Sequence, residues 1–133
     1  MKKVEMDVNN GNELAPSSFK FHDFVIKVGE IKFACQTIRL PTSLYLWIGD
    51  VNEEKMNDLS YAFTSNYDPL PVATKLIGST ADSSSCNIAK RLTKKCGMPV
   101  YVSFNVTADN FTLLGIEKSI SEEFKTHPDI LAS

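Results

Sequence analysis

The chain has 133 residues and 14.8 kDa, the size of one domain, and its 43% hydrophobic and 23% charged residues exclude wholesale disorder. Lys plus Arg total 14 against 16 for Asp plus Glu, a net charge of −2. That balance argues against a surface built to neutralise phosphates, so nucleic acid is not an expected partner.

Cys35, Cys86 and Cys96 are an odd set with no C-x-x-C spacing, which points to reduced thiols rather than disulfides or zinc. The opening MKKVEMD leads into polar residues, not an apolar signal core, and no apolar run is long enough to span a membrane. The expected compartment is therefore the cytoplasm or nucleus. The triplets Asn105-Val106-Thr107 and Asn110-Phe111-Thr112 then read as chance matches to a glycosylation signal.

Residues 1–17, rich in Asn, Gly, Pro and Ser, read as a flexible N-terminal tail before a single domain at 18–133. Alternation predicts a strand over 18–28, with an irregularity near Asp23, then a tight turn at Gly29-Glu30. A second strand follows, with Ile31, Phe33, Cys35 and Thr37 on one side, and Pro41 interrupts it. Ser43-Leu44-Tyr45-Leu46-Trp47-Ile48-Gly49 is apolar on both sides, the mark of a central strand covered on both faces. A strand is favoured at about 58–65, where Leu59, Tyr61 and Phe63 alternate, although Met56, Leu59, Ser60 and Phe63 also fit a helix over 53–65. Pro69 and Pro71 precede a short strand from Val72 to Ile77.

A helix is predicted from about Ser83 to Cys96, with Ser85, Ile88, Ala89, Leu92 and Cys96 on one face. Asp82 or Ser83 can cap it, Lys94 and Lys95 suit its end, and Gly97 followed by Pro99 stops it. Val100, Val102, Phe104 and Val106 alternate as a strand, and Ala108-Asp109-Asn110 is read as a turn into a hairpin partner at 111–116. A last helix is placed at the capping box Ser119-Ile120-Ser121-Glu122, ending at Pro128. The order βββββαββα describes an α+β chain: a largely antiparallel sheet of about six to seven strands, with two helices packed mainly on one face. The other face still carries large apolar residues, and such a face on a small protein marks a partner surface.

Chemistry is sparse. His22 and His127 are far apart in sequence, with no Cys, Asp or Glu at metal-ligand spacing, so no metal site is expected. Gly78-Ser79-Thr80 lacks the spacing of a phosphate loop, and Ser83-Ser84-Ser85 has no nucleophile elbow. A hydrolase working through Ser79–Ser85 is the enzymatic alternative. No catalytic, cofactor or metal residue is assigned. Lys90, Arg91, Lys94 and Lys95 form a basic strip that reads as a solvated helix face or as a docking strip for an acidic protein surface.

The series Ser43-Leu-Tyr-Leu-Trp-Ile-Gly49, Asn66-Tyr-Asp-Pro-Leu-Pro-Val-Ala-Thr74, Leu76-Ile-Gly78, Ala89-Lys-Arg-Leu92 and Val100-Tyr-Val-Ser-Phe-Asn105 resembles the proteasome assembly chaperone 4 family in order and spacing. The match covers about 20–127. The resemblance implies a non-enzymatic chaperone that pairs through its sheet with proteasome assembly chaperone 3. It further implies binding of 20S proteasome α subunits, particularly around the fifth, to promote α-ring assembly, and departure before the particle matures. On that reading Tyr45, Trp47, Tyr101 and Phe104 are partner-interface candidates. Lys90, Arg91, Lys94 and Lys95 are the client-docking candidates. A sheet-dimerising trafficking adaptor or small GTPase regulator is the alternative among binding modules.

Overall fold

The computed structural model describes residues 19–132, so the tail expected at 1–17 lies outside the described residues. Six strands form one sheet: β1 (Lys20–Val28), β2 (Ile31–Arg39), β3 (Leu44–Asp50), β4 (Leu59–Phe63), β5 (Val72–Ile77) and β6 (Val100–Phe104). Their spatial order is β1-β2-β3-β6-β4-β5, and every neighbouring pair is antiparallel except β3 with β6. Helix α1 (Ser84–Cys96) joins β5 to β6, helix α2 (Asn110–Thr126) follows β6, and a 3-10 turn at Pro128–Ile130 comes after it.

Local chemistry explains most boundaries. Gly29, at φ +64, and Glu30 make the two-residue turn between β1 and β2, where a II′ hairpin wants glycine first. β1 then pairs with β2 without a break, so the irregularity expected near Asp23 is absent. The Asp82 carboxylate accepts from Ser84 N at 3.0 Å at the start of α1, and Gly97, at φ +72, closes the helix with its N–H on Thr93 O. In β4, Ser60 and Ala62 are fully buried between half-buried Leu59, Tyr61 and Phe63, a two-residue period that decides for strand over helix.

Leu44, Leu46 and Ile48 point to one face of β3 and have no exposed surface. Ile26, Phe33, Cys35, Ala62, Val100, Val102 and Phe104 join them from the neighbouring strands. α1 lies over β4, β5 and β6 and contributes Ile88, Ala89 and Leu92; α2 lies over β1 and contributes Ile116, Ile120 and Phe124. Each such side chain contributes about 1.5–3 kcal/mol when fully buried. Gly115 lets α2 approach the sheet, since a Cβ there would lie 2.6 Å from Val28 Cγ1. Both helices thus cover the same face, as expected.

The strand expected at 111–116 is instead the first part of α2, which makes the order βββββαβα. Asp109 is its N-cap and accepts from Thr112 N at 2.7 Å; the Ser119 box lies inside the helix. The buried positions Ile116, Ile120 and Phe124 recur every fourth residue, a helical stripe. The neighbouring apolar residues Phe111 and Leu114 are 79% and 67% exposed. Their presence makes a helix entry look like a continuous strand.

A buried polar clamp ties β5, β6 and α1 to the segment before β4. Lys75 Nζ pairs with Asp58 Oδ1 and donates to Ser85 Oγ at 3.1 Å, while Asp58 Oδ2 accepts from Phe104 N at 3.1 Å. Ser103 Oγ donates to Asp58 O at 2.6 Å. The side chains of Lys75 and Asp58 are only 7% and 12% exposed. Removing one partner strands a buried charge, so Asp58→Ala is expected to lower unfolding free energy by about 3–5 kcal/mol, measured by urea titration.

Cys35 lies in the core, and burial, aided by the Glu123 carboxylate, pushes its thiol from about 9 up to about 12. The unfolded chain therefore loses this proton first. Its contribution to stability is complete below about pH 9 and is lost as pH rises toward 12. Denaturation midpoints are expected to fall above pH 9, and to fall less steeply in Cys35→Ala. Native Cys35 should also resist alkylation until the chain is unfolded.

Candidate interaction surfaces

No helix packs on the second face of the sheet among the described residues. Register places one transverse row across it: Phe21, Ile38, Tyr45, Tyr101, Tyr61 and Thr74, from β1 to β5. All but Thr74, which is exposed, are half-buried. The Tyr61 and Tyr101 rings lie 4.5 Å apart between centroids, and Phe63 stacks on Tyr61 at 5.6 Å. Aromatic contacts of this kind hold the side chains in place before any partner arrives. Burial pushes the Tyr45 phenol above its ordinary range, against the opposing effect of a hydrogen bond with Ser103.

Trp47 shares that face but is already covered. Its indole lies over Gly49, where a Cβ would come within 2.4 Å of the ring, and Nε1 donates to Lys55 O at 2.8 Å. The loop carrying Lys55 is itself tied down, because Asn57 N donates to Asn105 Oδ1 at 2.8 Å. Trp47 is 6% exposed as a result. The expectation that β3 is covered on both faces holds only at the indole, and a loop rather than an element does the covering.

Of the four interface candidates, Tyr45 and Tyr101 stand side by side on the uncovered face. Trp47 sits beside them under its loop. Phe104 points the other way, into the helix-covered core, because alternation along β6 groups it with Val100 and Val102. Tyr61 and Phe63 belong with the tyrosines, although they are not among the candidates drawn from sequence. Their alternation is visible there, but only the strand order reveals that β4 lies next to β6.

Lys90, Arg91, Lys94 and Lys95 are all exposed on α1. The structure divides them. Arg91 Nη1 pairs with Glu117 Oε1 at 2.5 Å, and Lys95 Nζ donates to Ser121 Oγ at 3.2 Å, both reaching across to α2. They bridge a cleft of about 190 Å³ that includes Ile88, Leu92 and Ile120 in its lining. Lys90 and Lys94 make no ion pair among the described residues.

Ser85 is not placed to act as a nucleophile. Ser85, 1% exposed, shares a 2.6 Å hydrogen bond with Ser60 Oγ inside the Asp58–Lys75 clamp, beyond the reach of a substrate. Asp58 Oδ1 would lie 3.1 Å from a Cβ at Gly78, so a carboxylate stands where a phosphate loop would need a donor. The histidines are another matter. His22 and His127, far apart in sequence, stack at 5.1 Å between ring centroids, and each faces Glu123 Oε2, at 2.7 Å and 3.3 Å respectively. β1 and the end of α2 meet there, a contact across 101 residues of sequence that spacing could not show.

Comparison with known proteins agrees with this architecture. Residues 32–106 match the family model described as proteasome assembly chaperone 4. The chain is similar to proteasome assembly chaperone 4 of Mus musculus, 38% identical over 117 residues that cover 86% of this chain and 93% of the mouse protein. It is 36% identical to the Homo sapiens protein of that name, with the same coverage of both chains. A chain in a crystal structure of a novel chaperone complex for yeast 20S proteasome assembly superposes with a TM-score of 0.65. It is 13% identical, with 81% of this chain and 96% of that one covered, a likeness of fold. A family match over more than half of the sequence, joined to two relatives aligned nearly end to end, places this chain in the proteasome assembly chaperone 4 family.

Proposed function

We propose that this chain is a non-enzymatic assembly chaperone that pairs, through its uncovered sheet face, with proteasome assembly chaperone 3. The pair binds 20S α subunits, particularly around the fifth, promotes α-ring assembly in the cytoplasm or nucleus, and leaves before the particle matures. The observation that carries the pairing is the row Ile38, Tyr45, Tyr101 and Tyr61, half-buried, apolar and left without a covering helix. Aromatic residues at the centre of an interface contribute most of its binding energy, and a standard interface buries about 1,600 Å² in total. Family membership supports the client, and the yeast complex that contains a chain of this fold is itself a chaperone complex for 20S proteasome assembly.

The tyrosines are the anchors. Tyr45→Ala, Tyr61→Ala and Tyr101→Ala are each expected to cost about 2 kcal/mol or more, roughly thirtyfold in affinity for the partner chaperone. Titration calorimetry with purified proteasome assembly chaperone 3 measures this, with circular dichroism checking that each variant is folded. Phe104 serves the core instead, so Phe104→Ala should act on stability and leave the affinity of the folded fraction within about twofold.

Client capture is assigned to the basic strip, and above all to Lys90 and Lys94. Reversing both to Glu is expected to weaken α-subunit pull-down by the heterodimer and reduce its salt dependence, with heterodimer formation intact. Unchanged pull-down would remove the strip from the docking site.

A further inference from the structure

His22, Glu123 and His127 are the one group of three potential metal ligands brought together among the described residues, and they lie outside the partner and client surfaces proposed above. We propose that they form a zinc site that staples the end of α2 to strand β1. One donor atom from each residue lies within 4.8 Å of the other two, and both imidazoles meet the same carboxylate oxygen. A tetrahedral ion with bonds of about 2.0–2.1 Å holds its ligand atoms roughly 3.3 Å apart. The 3.3 Å separation of His127 Nδ1 from Glu123 Oε2 matches that spacing, the 2.7 Å separation of His22 Nε2 must lengthen to reach it, and closing the site requires the two rings to draw together.

Each ligand sits on a firm base. His22 is on β1 opposite Thr37 and packs against Phe24 at 5.5 Å between rings. Glu123 and His127 are four residues apart, one helical turn, at the end of α2, and the neighbouring Phe124 is buried in the core. Without an ion, ring protons can bridge to the carboxylate and to Thr126 Oγ1, which lies 3.0 Å from His127 Nδ1. When the ion binds, His22 Nε2 and His127 Nδ1 supply lone pairs, and each neutral ring carries its proton on the other nitrogen. Two imidazoles and a carboxylate suit zinc and disfavour magnesium and calcium, which prefer oxygen throughout. Three protein ligands leave a fourth position for water, and His127, 48% exposed in its side chain, opens the site to solvent.

The test uses the untagged full-length chain, since a histidine tag would supply ligands of its own. Zinc chloride is titrated against a chromophoric competitor while the imidazole resonances of the two histidines are followed by NMR. Expected are one zinc per chain, shifts in both imidazoles, a rise in melting temperature with zinc but not magnesium, and a loss of about tenfold or more in affinity in His22→Ala, Glu123→Gln and His127→Ala. His127→Ala removes an exposed side chain, so it keeps the test decisive if His22→Ala fails to fold. A Cys86→Ser, Cys96→Ser variant should bind zinc as the parent does. The assignment is overturned if the chain binds no zinc, if His127→Ala binds it equally well, or if binding disappears with the cysteines.

Discussion

A six-stranded sheet has more surface than two helices can cover. Strands about 4.8 Å apart make it roughly 25 Å wide, and two helices about 10 Å thick span one face and no more. Here α1 lies over the β6–β4–β5 end and α2 over β1, and the fully buried aliphatic side chains of β3 and β6 lie beneath that layer. The uncovered second face follows from this shortage. The second face must be polar, capped by loops, or kept for another chain.

All three solutions occur on that face, across β2 and β3. Gln36, buried and donating to Asp23 Oδ1 at 2.8 Å, is a polar position; Trp47 is capped by the loop that receives its indole proton; Tyr45 is left open. The cap and the open row are adjacent, so the loop marks where the self-covered part of the face ends. The Asp58–Lys75 clamp stands at the other end of this loop, and through Ser103 and Phe104 it fixes β6, the strand that carries Tyr101. Rigidity of the aromatic row therefore has a covalent route through β6 to a buried ion pair. A preformed surface of this kind loses little freedom on association, which favours pairing.

Much of the fold is legible in the sequence because local signals and tertiary demand agree. Leu44 to Ile48, apolar on both sides, read as a central strand, and β3 does lie inside the sheet although its second face is covered only at the indole; α1 announces itself through its stripe and through Gly97. The failure at 111–116 has a physical cause: a short apolar run is ambiguous, and Asp109, which reads as a turn residue, is the cap that starts α2. Membership of the sheet is legible, but its order is not. That gap hides Tyr61, whereas the alternation along β6 already separates Phe104 from Tyr101 in the sequence. Of the His22–Glu123–His127 group the sequence shows only Glu123 and His127 one helical turn apart, because no spacing rule connects a first strand to the end of a last helix.

Side-chain footprinting of the chain alone and bound to proteasome assembly chaperone 3 tests most directly whether the uncovered face is the partner surface. Hydroxyl-radical labelling of Tyr45, Tyr61 and Tyr101 is predicted to fall on binding, while Phe111 and Leu114 on α2 keep their reactivity. Protection confined to the helices, with the three tyrosines labelled as in the free chain, would contradict it.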